Sequence, residues 1–107
     1  MAGIADTNTI DLVGQDADGT YLLIMIEDRP WGADPDQATQ LQEKINTYAG
    51  FIFDGSLTRH YPDTDGQPVR IRLDCAHAPG GHIAHITDHA ATQLAQHGIG
   101  FQINPKS

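Results

Sequence analysis

The chain has 107 residues, 39% of them hydrophobic and 19% charged, which suits one globular domain with one core and argues against two domains or wholesale disorder. Fourteen acids, twelve of them Asp, stand against six Lys plus Arg, giving a formal charge of −8. Such a surface repels phosphate backbones and acidic lipid headgroups, so neither nucleic acid nor membrane is expected as a partner.

Cys75 is the single cysteine, so no intrachain disulfide framework forms and no oxidising compartment is required. Met1 to Asn8 has neither the basic region nor the apolar run of a secretory leader. The longest apolar run, Tyr21 to Ile26, falls far short of the roughly 20 residues that span a bilayer as a helix. A cytoplasmic protein is the expectation.

In chain order, residues 1–8 are small and polar and are expected to be flexible. Thr9 to Gly14 alternates as a half-buried strand, and the following segment to Thr20 carries Asp18-Gly19, suited to a hairpin. The second strand, Tyr21 to Glu27, is apolar at nearly every position, so both faces ask for cover, from this chain or from another. Pro30 ends it, having no N–H for a ladder. Asp34 then offers a helix cap, Pro35 a first helical position and Gln37 the third residue of a capping box. Ala38, Leu41, Ile45, Tyr48 and Ile52 form one helical stripe, and Asp54-Gly55 closes it.

Tyr61 to Pro68 reads as a turn region, and Val69, Ile71, Leu73 and Cys75 alternate with Arg70, Arg72 and Asp74 as a strand with one dry and one wet face. Ile83, Ile86, Ala90 and Leu94 make a second helical stripe over residues 82–97, stopped by Gly98. Ile99, Phe101 and Ile103 give a last strand before Pro105. The order ββαβαβ, with right-handed crossovers moving the same way, predicts an α+β two-layer sandwich: a four-stranded mixed sheet with two helices on one face. The domain is expected to span residues 9–104, with 105–107 as a tail.

Asn8-Thr9-Ile10-Asp11, Gln42-Glu43-Lys44-Ile45-Asn46-Thr47-Tyr48, and Tyr61-Pro62 through Gly66-Gln67-Pro68-Val69-Arg70-Ile71 resemble a family of small bacterial proteins of unknown function. The closing helix and Gly98-Ile99-Gly100-Phe101 are also similar, so the resemblance spans most of the chain. It implies a shared fold and a bacterial, cytoplasmic setting, and it carries no assigned catalytic residue. The run His82 to His89 departs from the family pattern.

Candidate chemistry centres on histidine and arginine. His82, His85 and His89 lie at i, i+3 and i+7 on the second helix and fall within an arc of roughly 60°. His85 and His89 are the pair able to share a metal, because the rise from His82 to His89 is about 10 Å. Against this stand a solvated or interface-facing flank and, as a third reading, a pH-sensitive contact, since three imidazoles charging together below about pH 6.5 repel one another. Arg59, His60, Arg70 and Arg72 flank one turn and are candidates for an anion or an acidic peptide; neutralising nearby Asp is the alternative.

Asp16 to Gly19 and Asp63 to Gly66 both read D-x-D-G, but the flanking ligands of a calcium loop are missing, so turn chemistry explains them. Cys75 continues the inward series of its strand and reads as a buried hydrophobe rather than a nucleophile for His77. With neither a nucleophile elbow nor a phosphate-cradling glycine loop, no catalytic residue and no cofactor is assigned, and the balance leans away from an enzyme.

The leading expectation is an interaction or accessory protein, homodimeric through the open sheet face or the edge at the second strand, with Leu23, Met25 and Trp31 at the contact. The alternatives are a small-ligand (anion or divalent metal) binder or minor enzyme, and an antitoxin- or immunity-like partner that meets a basic protein with its acidic surface.

Overall fold

A computed structural model of the chain describes residues 3–106. The elements are β1 (Leu12–Gln15), β2 (Tyr21–Glu27), α1 (Gln37–Phe53), α2 (Ser56–His60), a 3₁₀ turn at Pro62–Thr64, β3 (Val69–Cys75), α3 (Gly81–Ala95) and β4 (Gly100–Pro105). The sheet runs β1-β2-β3-β4, with β1 antiparallel to β2 and the other two pairings parallel. Inward residues Leu23, Met25, Ile71 and Leu73 are fully buried against Leu41, Ile45 and Tyr48 of α1 and Ile86, Ala90 and Leu94 of α3. This is the expected α+β two-layer sandwich, with both long helices on one face.

Several boundaries move, each for a local reason. β1 starts at Leu12 because the Asp11 N–H is diverted to the Tyr48 hydroxyl (2.9 Å), while its carboxylate Oδ2 accepts the Ile26 N–H (3.1 Å). α1 starts at Gln37 because Asp34 folds a turn beneath it, accepting the Asp36 N–H at 2.8 Å. Gln37 makes no capping box: its buried side chain accepts the Gly32 N–H (2.7 Å) and donates to Glu27 (3.0 Å). α2 is an addition to the expected elements. Gly55 enters it at φ 84°, and Asp54 Oδ1 accepts the Ser56 N–H at 2.8 Å; the Ser56 side chain first and its N–H second hold the Asp54 carboxyl below its usual range.

Of the expected flexible start at residues 1–8, Met1 and Ala2 lie outside the described residues, as does Ser107 of the expected tail. Within it, Ile4 sits in the core at 1% exposure and its N–H pairs with the Ile26 carbonyl (3.1 Å). At the other end, Pro105 closes β4 and the Lys106 N–H reaches the Cys75 carbonyl at 2.9 Å.

β2 lies inside the sheet with a neighbour on each side, so the expected contact through an edge at this strand is not available. Its facing also differs from the expected interface. Leu23 and Met25 point at the helices with no exposure, and the outward set is Leu22, Ile24 and Ile26. In a strand apolar on both faces the pattern is silent about which set turns inward.

The N-terminal segment, β2 and α1 are joined by one buried polar cluster. The Lys44 ammonium, 0% exposed, donates to the Asp6 carbonyl (2.6 Å), Thr9 Oγ1 (3.2 Å) and Asp11 Oδ1 (2.7 Å). The Tyr48 hydroxyl donates to the Ile24 carbonyl at 2.6 Å, and burial pushes its phenol pKa up. Removing one partner of such a pair leaves an uncompensated buried charge. Lys44→Met is therefore expected to lower unfolding free energy in urea by about 3–5 kcal/mol, with Asp11→Asn/Lys44→Met costing less than the two single changes added together. A Lys44→Met protein within about 1 kcal/mol of wild type would show that the cluster contributes little.

Candidate functional site

α1 and α3 lie side by side on the sheet, and the valley between them is a groove of about 800 Å³. Its floor is apolar: Ile45, Ile86, Ala90 and Leu94 are each 8% exposed or less. On the α1 side the rim is Gln42, Asn46, Ala49 and Phe53, spaced at about one helical turn. On the α3 side it is His82, His85, His89, Gln93 and His97. The stripe that seats each helix therefore also selects its rim, because these positions flank the buried ones.

Four of the six histidines meet in this groove, and its lining contains no Asp, Glu, Lys or Arg. On a chain of net charge −8 that makes it a strip free of carboxylate, ammonium and guanidinium groups. Phe53 is 53% exposed and its ring meets His97 edge-on, with centroids 5.0 Å apart. His85 and His89 share the rim, and among the described residues no three His, Cys, Asp or Glu side chains gather as a metal site. His97 lies beyond the end of α3 and about 80° round a helical wheel from His89, so spacing alone does not add it to the set. The contribution of α1 depends on which helices become neighbours and carries no sequence signal of its own.

The arginine candidates do not come together. Arg59 and His60 sit in α2 in the helical layer, where Arg59 donates to the Asp54 carbonyl (3.4 Å) and His60 Nδ1 lies 2.9 Å from the Ser56 carbonyl. Arg70 and Arg72 lie on the open sheet face. Arg70 is 3.6 Å from the Asp16 carboxylate, and Arg72 forks onto Asp74 at 2.7 and 3.1 Å. Asn104 donates to the same carboxylate at 3.0 Å.

At the carboxyl ends of the parallel strands a second cluster appears that sequence reasoning passed over. Glu27, 2% exposed, accepts from Arg29 Nε (2.9 Å) and Nη2 (2.7 Å) and from Gln37. Arg29 also donates to Gln40 (3.0 Å) and lies 3.5 Å from Asp34. Trp31 Nε1 donates to the His77 carbonyl at 2.8 Å, tying the loop after β2 to the loop after β3. Trp31 is thus a brace packed on the core, only partly exposed. Cys75 stands beside Glu27 in register at 1% exposure, and burial, with the Asp74 and Glu27 charges, pushes its thiol up, away from nucleophile chemistry.

The family model "Family of unknown function (DUF6572)" matches residues 2–107. No curated protein and no solved structure matches the chain. Among the described residues no helix is long and apolar enough to cross a membrane.

Burial works to raise the Glu27 pKa, but the hydrogen bonds from Arg29 and Gln37 outweigh it and hold the carboxyl below its ordinary 4.5. A depressed native pKa means the unfolded chain binds the proton more readily, so this stabilisation is complete above about pH 4.5 and disappears as pH falls through the native value. Glu27→Gln is expected to lower the urea midpoint at pH 7, with the gap to wild type narrowing steadily below pH 4.5. A gap of constant size across that range would mean that the carboxylate charge is not what stabilises the cluster.

Proposed function

The chain belongs to the DUF6572 family, a membership that brings no activity with it, and we propose from its own surface that it is a docking domain that self-associates through the helical face bearing the α1–α3 groove. The observation that carries this reading is a groove lined by no Asp, Glu, Lys or Arg on a chain of −8. Two copies of an acidic protein repel over most approach directions, and the least costly contact is one in which no formal charges are brought together. The apolar floor and the exposed Phe53 supply what an interface centre needs, an aromatic anchor and dry surface.

The open sheet face has less need of a partner. Leu22 and Ile24 point outward there, yet are only 6% and 5% exposed. They lie outside the main core and are covered by their neighbours on the same face. Leu22 is flanked by Gly14 and Arg70, and Ile24 by Leu12 and Arg72. The aliphatic stems of the arginines shield apolar surface while their heads stay with Asp16 and Asp74.

Sedimentation equilibrium of the untagged chain at neutral pH tests the proposal. The wild type is expected to reach dimer mass as concentration rises. Gln42→Glu/Gln93→Glu, which places like charges on both exposed rims, is expected to weaken association at least tenfold, about 1.4 kcal/mol. Gln102→Glu on the open face is expected to leave it unchanged. A monomer at every concentration contradicts the proposal, as does a dimer broken by Gln102→Glu and untouched by the rim pair.

A further inference from the structure

We infer that His85 and His89 form half of a binding site for a divalent transition-metal ion, completed by the same pair from a second copy across the two-fold axis. The inference rests on the self-association proposed above. The two residues lie four apart within α3, so they rise about 6 Å along one helix face with Cβ atoms about 5–6 Å apart. That spacing lets two imidazoles turn toward one ion at about 2.0–2.1 Å from each nitrogen. Both are exposed on the groove rim, and among the described residues neither ring has a hydrogen-bond or ion-pair partner to give up.

One chain alone stops at two ligands. His82 is about 10 Å along the helix from His89 and cannot join the same ion, and among the described residues no set of three His, Cys, Asp or Glu side chains is assembled. Two ligands leave half of a tetrahedral shell open. A contact that is isologous about a two-fold axis near the middle of α3 brings an identical pair to the other half, giving four nitrogen ligands. The ligand type selects the ion: imidazole suits Zn²⁺, Cu²⁺ and Ni²⁺, whereas Ca²⁺ and Mg²⁺ require the oxygen donors of carboxylates, which this groove does not line up.

Titration calorimetry with Zn²⁺ on the untagged chain, paired with sedimentation in Zn²⁺ and in EDTA, tests the inference. One ion is expected per two chains, with dimer affinity at least tenfold higher in Zn²⁺ than in EDTA. His85→Ala/His89→Ala is expected to abolish both effects, while His60→Ala leaves them intact; unchanged circular dichroism and urea midpoint confirm that both variants fold. A dimer in EDTA that neither binds Zn²⁺ nor tightens with it overturns the metal site and leaves the docking face standing. A monomer in both conditions overturns the docking face, and one ion per chain without association overturns the shared site.

Discussion

The buried Lys44–Asp11 pair, with Tyr48 beside it, is the constraint on which the rest of the arrangement depends. An ammonium and a carboxylate with 0% and 2% side-chain exposure are tolerated only because their hydrogen-bonding capacity is used. The three protons of Lys44 find Asp6, Thr9 and Asp11; Asp11 accepts the Ile26 N–H as well; and Tyr48 bridges the Asp11 N–H and the Ile24 carbonyl. These bonds fasten the N-terminal segment, β2 and α1 in one register. They also set the rotation of α1 about its axis. With Lys44 and Tyr48 held toward β2 and the N-terminal segment, Gln42, Asn46, Ala49 and Phe53 are turned toward α3, and the groove acquires its second wall.

The two faces of the sandwich deal with surface chemistry differently. On the open face Arg70 and Arg72 are neutralised along the sheet by Asp16 and Asp74, and the side chain of Arg70 lies against Gly100, where an added Cβ would come within 3.3 Å of it. The edges are blunted by a four-residue β1 and by Pro105 at the end of β4, which limits strand addition. The helical face concentrates imidazoles, amide side chains and one exposed phenyl ring over an apolar floor. Ion-paired arginines on one face, and on the other a groove rim of imidazoles and amides for which no hydrogen-bond partner is found among the described residues, are the asymmetry from which the functional reading is drawn.

Much of the architecture was legible because pattern and fold agree. The alternation from Val69 to Cys75 emerged as β3 with its odd positions inward, the Leu41-Ile45-Tyr48 stripe seated α1, and the handedness of the crossovers put both long helices on one side. The failures share one cause: local pattern carries no information about distant partners. Nothing in the pattern of α1 singles Lys44 out, and only Asp11, 33 residues away, explains its burial. Gln37 reads as a cap and is instead held by Glu27 and Gly32. β2 is apolar on both faces, so Leu23 and Met25 were placed outward when the register turns them in. At the site, the histidine flank was visible from spacing, whereas Gln42, Asn46 and Phe53 joined it only through the adjacency of α1 and α3.

The central claim is that the α1–α3 face, rather than the sheet face, is where this domain meets its partner. Amide chemical shifts followed through a dilution series at neutral pH test it most directly, because each residue reports separately. The account predicts concentration-dependent shifts gathered on Asn46, Ala49, Phe53, His89 and Gln93. Shifts gathered instead on Leu22, Ile24, Arg72 and Gln102, or a spectrum indifferent to concentration, would contradict it.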